Sequence, residues 1–191
     1  MTSSNDDSID TIWVYGYHGT SRSRAEIIIA EGFQPSMNGY DWLGTGVYFW
    51  QDASNHALYW AQKIYPQEPA VIKSRIRLDR TCLDLLDMAN LDNPDFWSDS
   101  YNGFVRMCER TGKTLPAQNP NLPGKRHLDC AFCDYLVTVT AGDAETDSIG
   151  AIRSAFIEGK QIFPNSAIYD RTHIQISVIE LNLIEYSCIY D

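Results

Sequence analysis

The stretch YHGTSRSRAEIIIAEGF, Tyr17 to Phe33, decides the reading of this chain. A β-type run, TIWVYGY, leads into a His-Gly-Thr triplet, and a short helical pattern follows it. Ser23 and Glu26 have the Ser-x-x-Glu spacing of a capping box, Ile27, Ile28 and Ala30 supply apolar surface, and Gly32 marks the stop. The triplet is therefore expected at a strand end, just before a turn. There a backbone-permissive glycine beside a histidine needs a reason.

Working outward, QPSMNGYDWLGTG is a loop full of turn formers, and VYFW is a short apolar burst. DASNHALYWAQKIY reads as a helix capped by Asp52 or Ser54 and ended by Pro66. AVIKSRIRL alternates like a strand with one buried face. PDFWSDSYNGFVRMCERTG has helical spacing of Phe96, Trp97, Tyr101, Phe104 and Cys108, and residues 112–126 form a Pro-rich loop. IGAIRSAFIEG reads as a weak helix, and THIQISVIEL as a closing strand. Without a regular βαβ rhythm, the expectation is an α+β domain with antiparallel sheets.

The chain has 191 residues, 44% of them hydrophobic, with a net charge of −10. That length suits one folded domain, residues 12–191, after a disordered acidic tail at 1–11. The tail has no apolar core of a signal peptide, and no run is long enough to span a membrane, so a cytoplasmic protein is expected. The acidic balance opposes a broad phosphate-binding surface. Lys73, Arg75, Arg77 and Arg80 remain a local basic patch, read first as a solvated strand face. Five cysteines fit a reducing compartment. Cys130 and Cys133, with His127 upstream, have zinc-like spacing, but they lie in an apolar segment and lack a nearby fourth ligand, so no metal is expected. No His-x-Glu precedes them, which disfavours a nucleobase deaminase.

WLGTGVYFW, Trp42 to Trp50, is the second motif. It completes no GxGxxG and has no P-loop lysine. It offers a closely approachable backbone at Gly44 and Gly46, followed by aromatic rings able to stack on a flat heteroaromatic ligand. The competing reading makes Tyr48 and Phe49 core residues of a buried strand.

Taken together, His-Gly-Thr, Gly-x-Gly-Val-Tyr-Phe about thirty residues later, and Tyr59 eleven after Tyr48 resemble the NAD-binding half of the poly(ADP-ribose) polymerase-like ADP-ribosyltransferases, in their small bacterial and toxin-like branch. The resemblance covers roughly residues 12–80 and 160–185. It implies an ADP-ribosyltransferase-like split antiparallel β-sandwich with flanking helices. On this likeness NAD is the co-substrate. His18 would bond the adenosine ribose, the backbone of Gly19 the nicotinamide carboxamide, and Thr20 would add a hydroxyl nearby. Tyr48 and Tyr59 would sandwich the nicotinamide, beside Gly46 and Phe49. His56 stands where the family often has a serine, and Ser54 is the substitute.

The family's late-strand glutamate is matched by Gln175, with His173 two positions before it. Ser166, Ala167, Glu180, Glu185 and Asp129 are rivals for that place. A glutamine argues against polymer elongation and for a single transfer to a macromolecular acceptor, protein rather than nucleic acid given the charge. The alternatives are an NAD glycohydrolase, a tRNA 2′-phosphotransferase relative, and a noncatalytic NAD-binding module. The sequence names neither the acceptor nor any inhibitor protein.

Overall fold

The computed structural model describes residues 11–86, 95–119, 124–142 and 147–190. All but the last residue of the expected acidic tail lies outside them. The elements run β1 (Ile12–Ser21), α1 (Arg22–Glu31), β2 (Val47–Gln51), α2 (Ser54–Ile64), β3 (Pro69–Leu78), β4 (Cys82–Asp84), α3 (Phe96–Thr111), α4 (His127–Ala141), β5 (Ala151–Phe156), β6 (His173–Val178) and β7 (Ile184–Tyr190). The protein is α+β, with one seven-stranded sheet in the order β4-β5-β6-β2-β1-β3-β7. The sheet is mixed rather than wholly antiparallel, because β4 and β5 run parallel.

The pairing is uneven. β1 pairs with β3 over ten residues, from Ile12 opposite Leu78 to Ser21 opposite Pro69. Its ladder with β2 has only two pairs, Gly16 with Gln51 and Tyr17 with Trp50. This short seam joins two half-sheets, β1-β3-β7 and β2-β6-β5-β4. One apolar cluster draws from both halves, with Ile72 and Ile76 of β3 meeting Phe49 of β2 and Ile176 of β6, all wholly buried. The sheet therefore curls around its own core. α2 covers the outer face of the first half at Tyr17, Ala57 and Val71. α4 covers the outer face of the second, where Cys133 and Leu136 meet Ile152 and Phe156.

Several local expectations need correction. α1 is capped by Ser21, whose side chain accepts from the Arg24 N–H. Ser23 instead bonds Glu68, and Glu26 pairs with Arg22. Long-range contact has outcompeted the local capping box. Ile27 is more than half exposed, and Ala25 and Ile28 make the inward contact. α2 begins at Ser54, and its cap is Ala53, without a side-chain bond. The weak helix expected at IGAIRSAFIEG is strand β5. It lies between β4 and β6, and Ala151 and Ile152 are both buried, so alternation is erased. β6 does not close the chain: a turn at Leu181–Leu183 leads into edge strand β7.

Candidate functional site

Tyr15 O accepts the Asp52 N–H, so the odd-numbered backbone groups of β1 face β2. Gly19 follows the same alternation, but the ladder with β2 has ended two residues earlier. Its N–H and C=O consequently face the gap beyond the seam without a strand partner, in a residue that is itself buried. His18 spans that gap: its Nδ1 lies 2.9 Å from Tyr48 O. A carbonyl only accepts, so Nδ1 carries the proton. Burial between Phe33 and Phe49 lowers the His18 pKa and keeps the ring neutral. Nε2 is then a lone-pair acceptor.

A second histidine repeats this logic. His173 is buried, and its Nδ1 donates to Arg171 O at 2.8 Å. Desolvation, opposed by that backbone bond, lowers its pKa. Neutral His173 must accept at Nε2, so the contact of 2.8 Å with Gln175 has the amide nitrogen donating. Gln175 Oε1 is thereby turned away and left as an acceptor.

Around this pair lies a connected set. The His56 ring is 4.7 Å from His173, with Nε2 buried and without a hydrogen-bond partner among the described residues. Trp50, paired across the ladder with Gln175, has its ring 6.3 Å from His173. Phe156 stacks on His173 at 5.6 Å. Tyr59, 54% exposed, lies under the Arg171 guanidinium at 5.3 Å. The structure thus joins His56, Tyr59 and Gln175, and adds Trp50 and Arg171, which sequence reasoning missed. For Trp50 the available signal was its place in the aromatic burst. Nothing marked Arg171.

The remaining residues sit differently. His18 belongs to the Phe33–Phe49 side of the sheet, and among the described residues no hydrogen bond or ring contact joins it to Gln175. Phe49 is wholly buried and has no face to offer a ligand. Thr20 is buried as well. The Tyr48 hydroxyl donates to Gly44 O at 2.7 Å and accepts from Leu43 N at 2.9 Å, which ties down the loop ahead of β2. Burial pushes its pKa up. Ser54 is the first residue of α2.

Both glycine motifs have structural causes. A Cβ at Gly19 would collide with the Ala57 carbonyl of α2, and one at Gly46 with Ser177 Oγ of β6. Gly44, at φ +77°, would set a Cβ 2.6 Å from Asp134 Oδ1. That carboxylate, reaching in from α4, accepts from Thr45 N at 2.7 Å and from Thr45 Oγ1 at 3.3 Å. The Gly-Thr-Gly loop is filled by protein groups.

Ala167 carries no polar side-chain group, and the other rivals of Gln175 are engaged elsewhere. Glu180 accepts from Ser148, Glu185 pairs with Arg75, and Asp129 with Arg126. Ser166 is buried and accepts from Ile168 N within its own turn. One carboxylate not foreseen, Glu158, lies close enough to raise the His173 pKa slightly against the larger desolvation. Cys130 and Cys133 face the loop before β2 from α4, with Sγ contacts to Asn38 O and Trp42 O. Burial, with nearby carboxylates, pushes their thiols up to about 11 and about 12. They are packing groups. No helix among the described residues is long and apolar enough to cross a membrane. Compared with protein-family models, curated proteins and solved structures, the chain matches none.

Proposed function

We propose that this chain is an NAD-dependent mono-ADP-ribosyltransferase built on an ADP-ribosyltransferase-like split β-sandwich. The observation that carries the reading is Gln175, whose amide nitrogen is tied to a neutral, buried His173 so that its carbonyl oxygen is left as an acceptor, on the segment whose Arg171 lies over the exposed ring of Tyr59. An acceptor fixed this way suits a ribose hydroxyl, and the Tyr59 face suits nicotinamide. The backbone edge of Gly19, buried but without a strand partner, offers one donor and one acceptor, as a carboxamide requires. His18 Nε2 supplies a further acceptor for the adenosine ribose.

In the reaction the bond between nicotinamide nitrogen and ribose C1′ breaks, and nicotinamide leaves with the electron pair. Positive charge develops on the ribose, and an acceptor nucleophile closes the new bond at C1′ while losing its proton. The Gln175 oxygen holds the hydroxyl and stabilises that charge through its dipole. An amide does this less well than a carboxylate, which agrees with a single transfer rather than chain growth. The same deficit favours a second reading, in which the chain binds NAD without cleaving it.

The test is incubation with labelled NAD and a cell lysate, with nicotinamide release measured for four proteins. The wild type is expected to release nicotinamide and label a macromolecular fraction. Gln175→Ala should lower kcat at least tenfold with little change in KM, the pattern of an interaction made as the bond breaks. Gln175→Glu should match or exceed the wild type, and Glu180→Gln should leave kcat intact. Free ADP-ribose without labelled macromolecules would make the enzyme a hydrolase. No release with every acceptor pool supplied would leave the binding-module reading.

A further inference from the structure

The outer face of β1-β3-β7 is only partly covered. α2 lies over its end at Gly19 and Val71, and nothing among the described residues covers the rest. Register sets Tyr15 beside Arg75 and Tyr17 beside Lys73, and on the other side sets Arg75 beside Tyr186. A central cationic row is therefore flanked by aromatic rows. Trp13, Tyr15, Tyr186 and Tyr190 are 42%, 47%, 62% and 42% exposed. Lys73 Nζ lies 3.9 Å from the Tyr15 ring centre, and the Arg75 guanidinium 4.2 Å from that of Trp13. Two adjoining hollows of about 270 and 290 Å³ share Tyr15 and Arg75.

We propose that this face binds single-stranded nucleic acid, its rings stacking on bases while Lys73 and Arg75 meet phosphates. The alternation identifies the occupant. Exposed rings offer flat stacking partners to any base, and cations between them at strand spacing, about 7 Å along β3, follow a charged backbone. Bases inside a duplex are stacked on one another and unavailable to such rings. An acidic protein segment would use the cations and leave the rings idle.

The chain's net charge of −10 confines the attraction to this patch. Lys73 has no carboxylate partner among the described residues. The Arg75–Glu185 pair at 3.0 Å has both side chains nearly half exposed. Such a pair is weak enough to exchange for a phosphate.

The test is fluorescence anisotropy with labelled twelve-nucleotide oligo-dT and oligo-U, a duplex of equal length, and phosphatidylserine vesicles, all without NAD. The single strands should bind, more tightly than the duplex or the vesicles. Binding should weaken roughly tenfold between 50 and 200 mM salt, as two or three phosphate contacts require. Tyr15→Ala should lose about five- to a hundredfold in affinity and Tyr15→Phe little. Lys73→Gln with Arg75→Gln should lose most of the salt dependence at an unchanged unfolding midpoint, and should leave nicotinamide release untouched. The proposal is overturned if the wild type binds neither strand, if the duplex or the vesicles bind equally well, or if the glutamine pair binds like the wild type. It does not rest on NAD chemistry and stands or falls separately from it.

Discussion

The two glycine motifs look alike in sequence and differ in what their backbones are paired with. In Trp42 to Gly46 the close approach that glycine permits is used by the protein itself, through Asp134 and Ser177. In His18 to Thr20 the approach of α2 likewise fills the Cβ position of Gly19, yet the backbone edge of that residue is left without a strand partner because the ladder with β2 has already ended. Glycine at such a spacing says that something comes close. Which direction stays free depends on strand pairing, a long-range property.

The largest expected effect breaks the first motif. Gly46→Ala drives a methyl into Ser177 Oγ and to 3.0 Å from Val178 O, so stability should fall by about 2–3 kcal/mol. Adding Ser177→Ala removes the clashing oxygen and should recover part of the loss. Urea unfolding of the two single variants and the double variant measures the coupling. If the double variant is no better than Gly46→Ala, the loop is not seated on β6 as described.

A smaller effect tests whether Asp134 alone fills the loop. Asp134→Ala strands the Thr45 N–H and should cost about 1–2 kcal/mol in the same assay. NAD affinity by calorimetry should be unchanged. A loss of affinity larger than threefold would put the Gly-Thr-Gly loop back in the ligand site.

The smallest effect concerns pH and the second motif. His18 and His173 both have folded pKa values below the ordinary 6.5. Between that value and their lower folded values the unfolded chain binds more protons, so their contribution is complete above about pH 6.5 and declines as pH falls. His18→Gln keeps a donor for Tyr48 O and cannot titrate. It should flatten the acid-side decline of stability modestly between pH 6.5 and 5, as urea midpoints would reveal. An identical slope in the variant would show that His18 is not held neutral.

Much of this was legible beforehand because it is local. The long helix at Phe96–Thr111, the strand at AVIKSRIRL and the stop at Gly32 follow from spacing and chain chemistry. What escaped is non-local. β5 hid because both its faces are covered, and Asp134 is 89 positions from the loop it fills. The partnership of Gln175 with His173 was readable only as two residues at strand spacing, and the tautomer that aims the amide depends on Arg171 O. Phe49, with Tyr48 an aromatic pair on β2, went to the core, while Trp50 went to the site.

One consequence follows from the two-pair seam at Tyr17 and Trp50. A joint this short beside a ten-pair ladder pairs the two half-sheets at one place only, and Gly19 stands about 7 Å beyond it along β1. Rotating one half-sheet against the other by some 10° would open or close the gap at Gly19 by roughly 1 Å. The width of that gap is thus set by the angle between the two half-sheets, which the His18–Tyr48 bond and the shared apolar core hold in place.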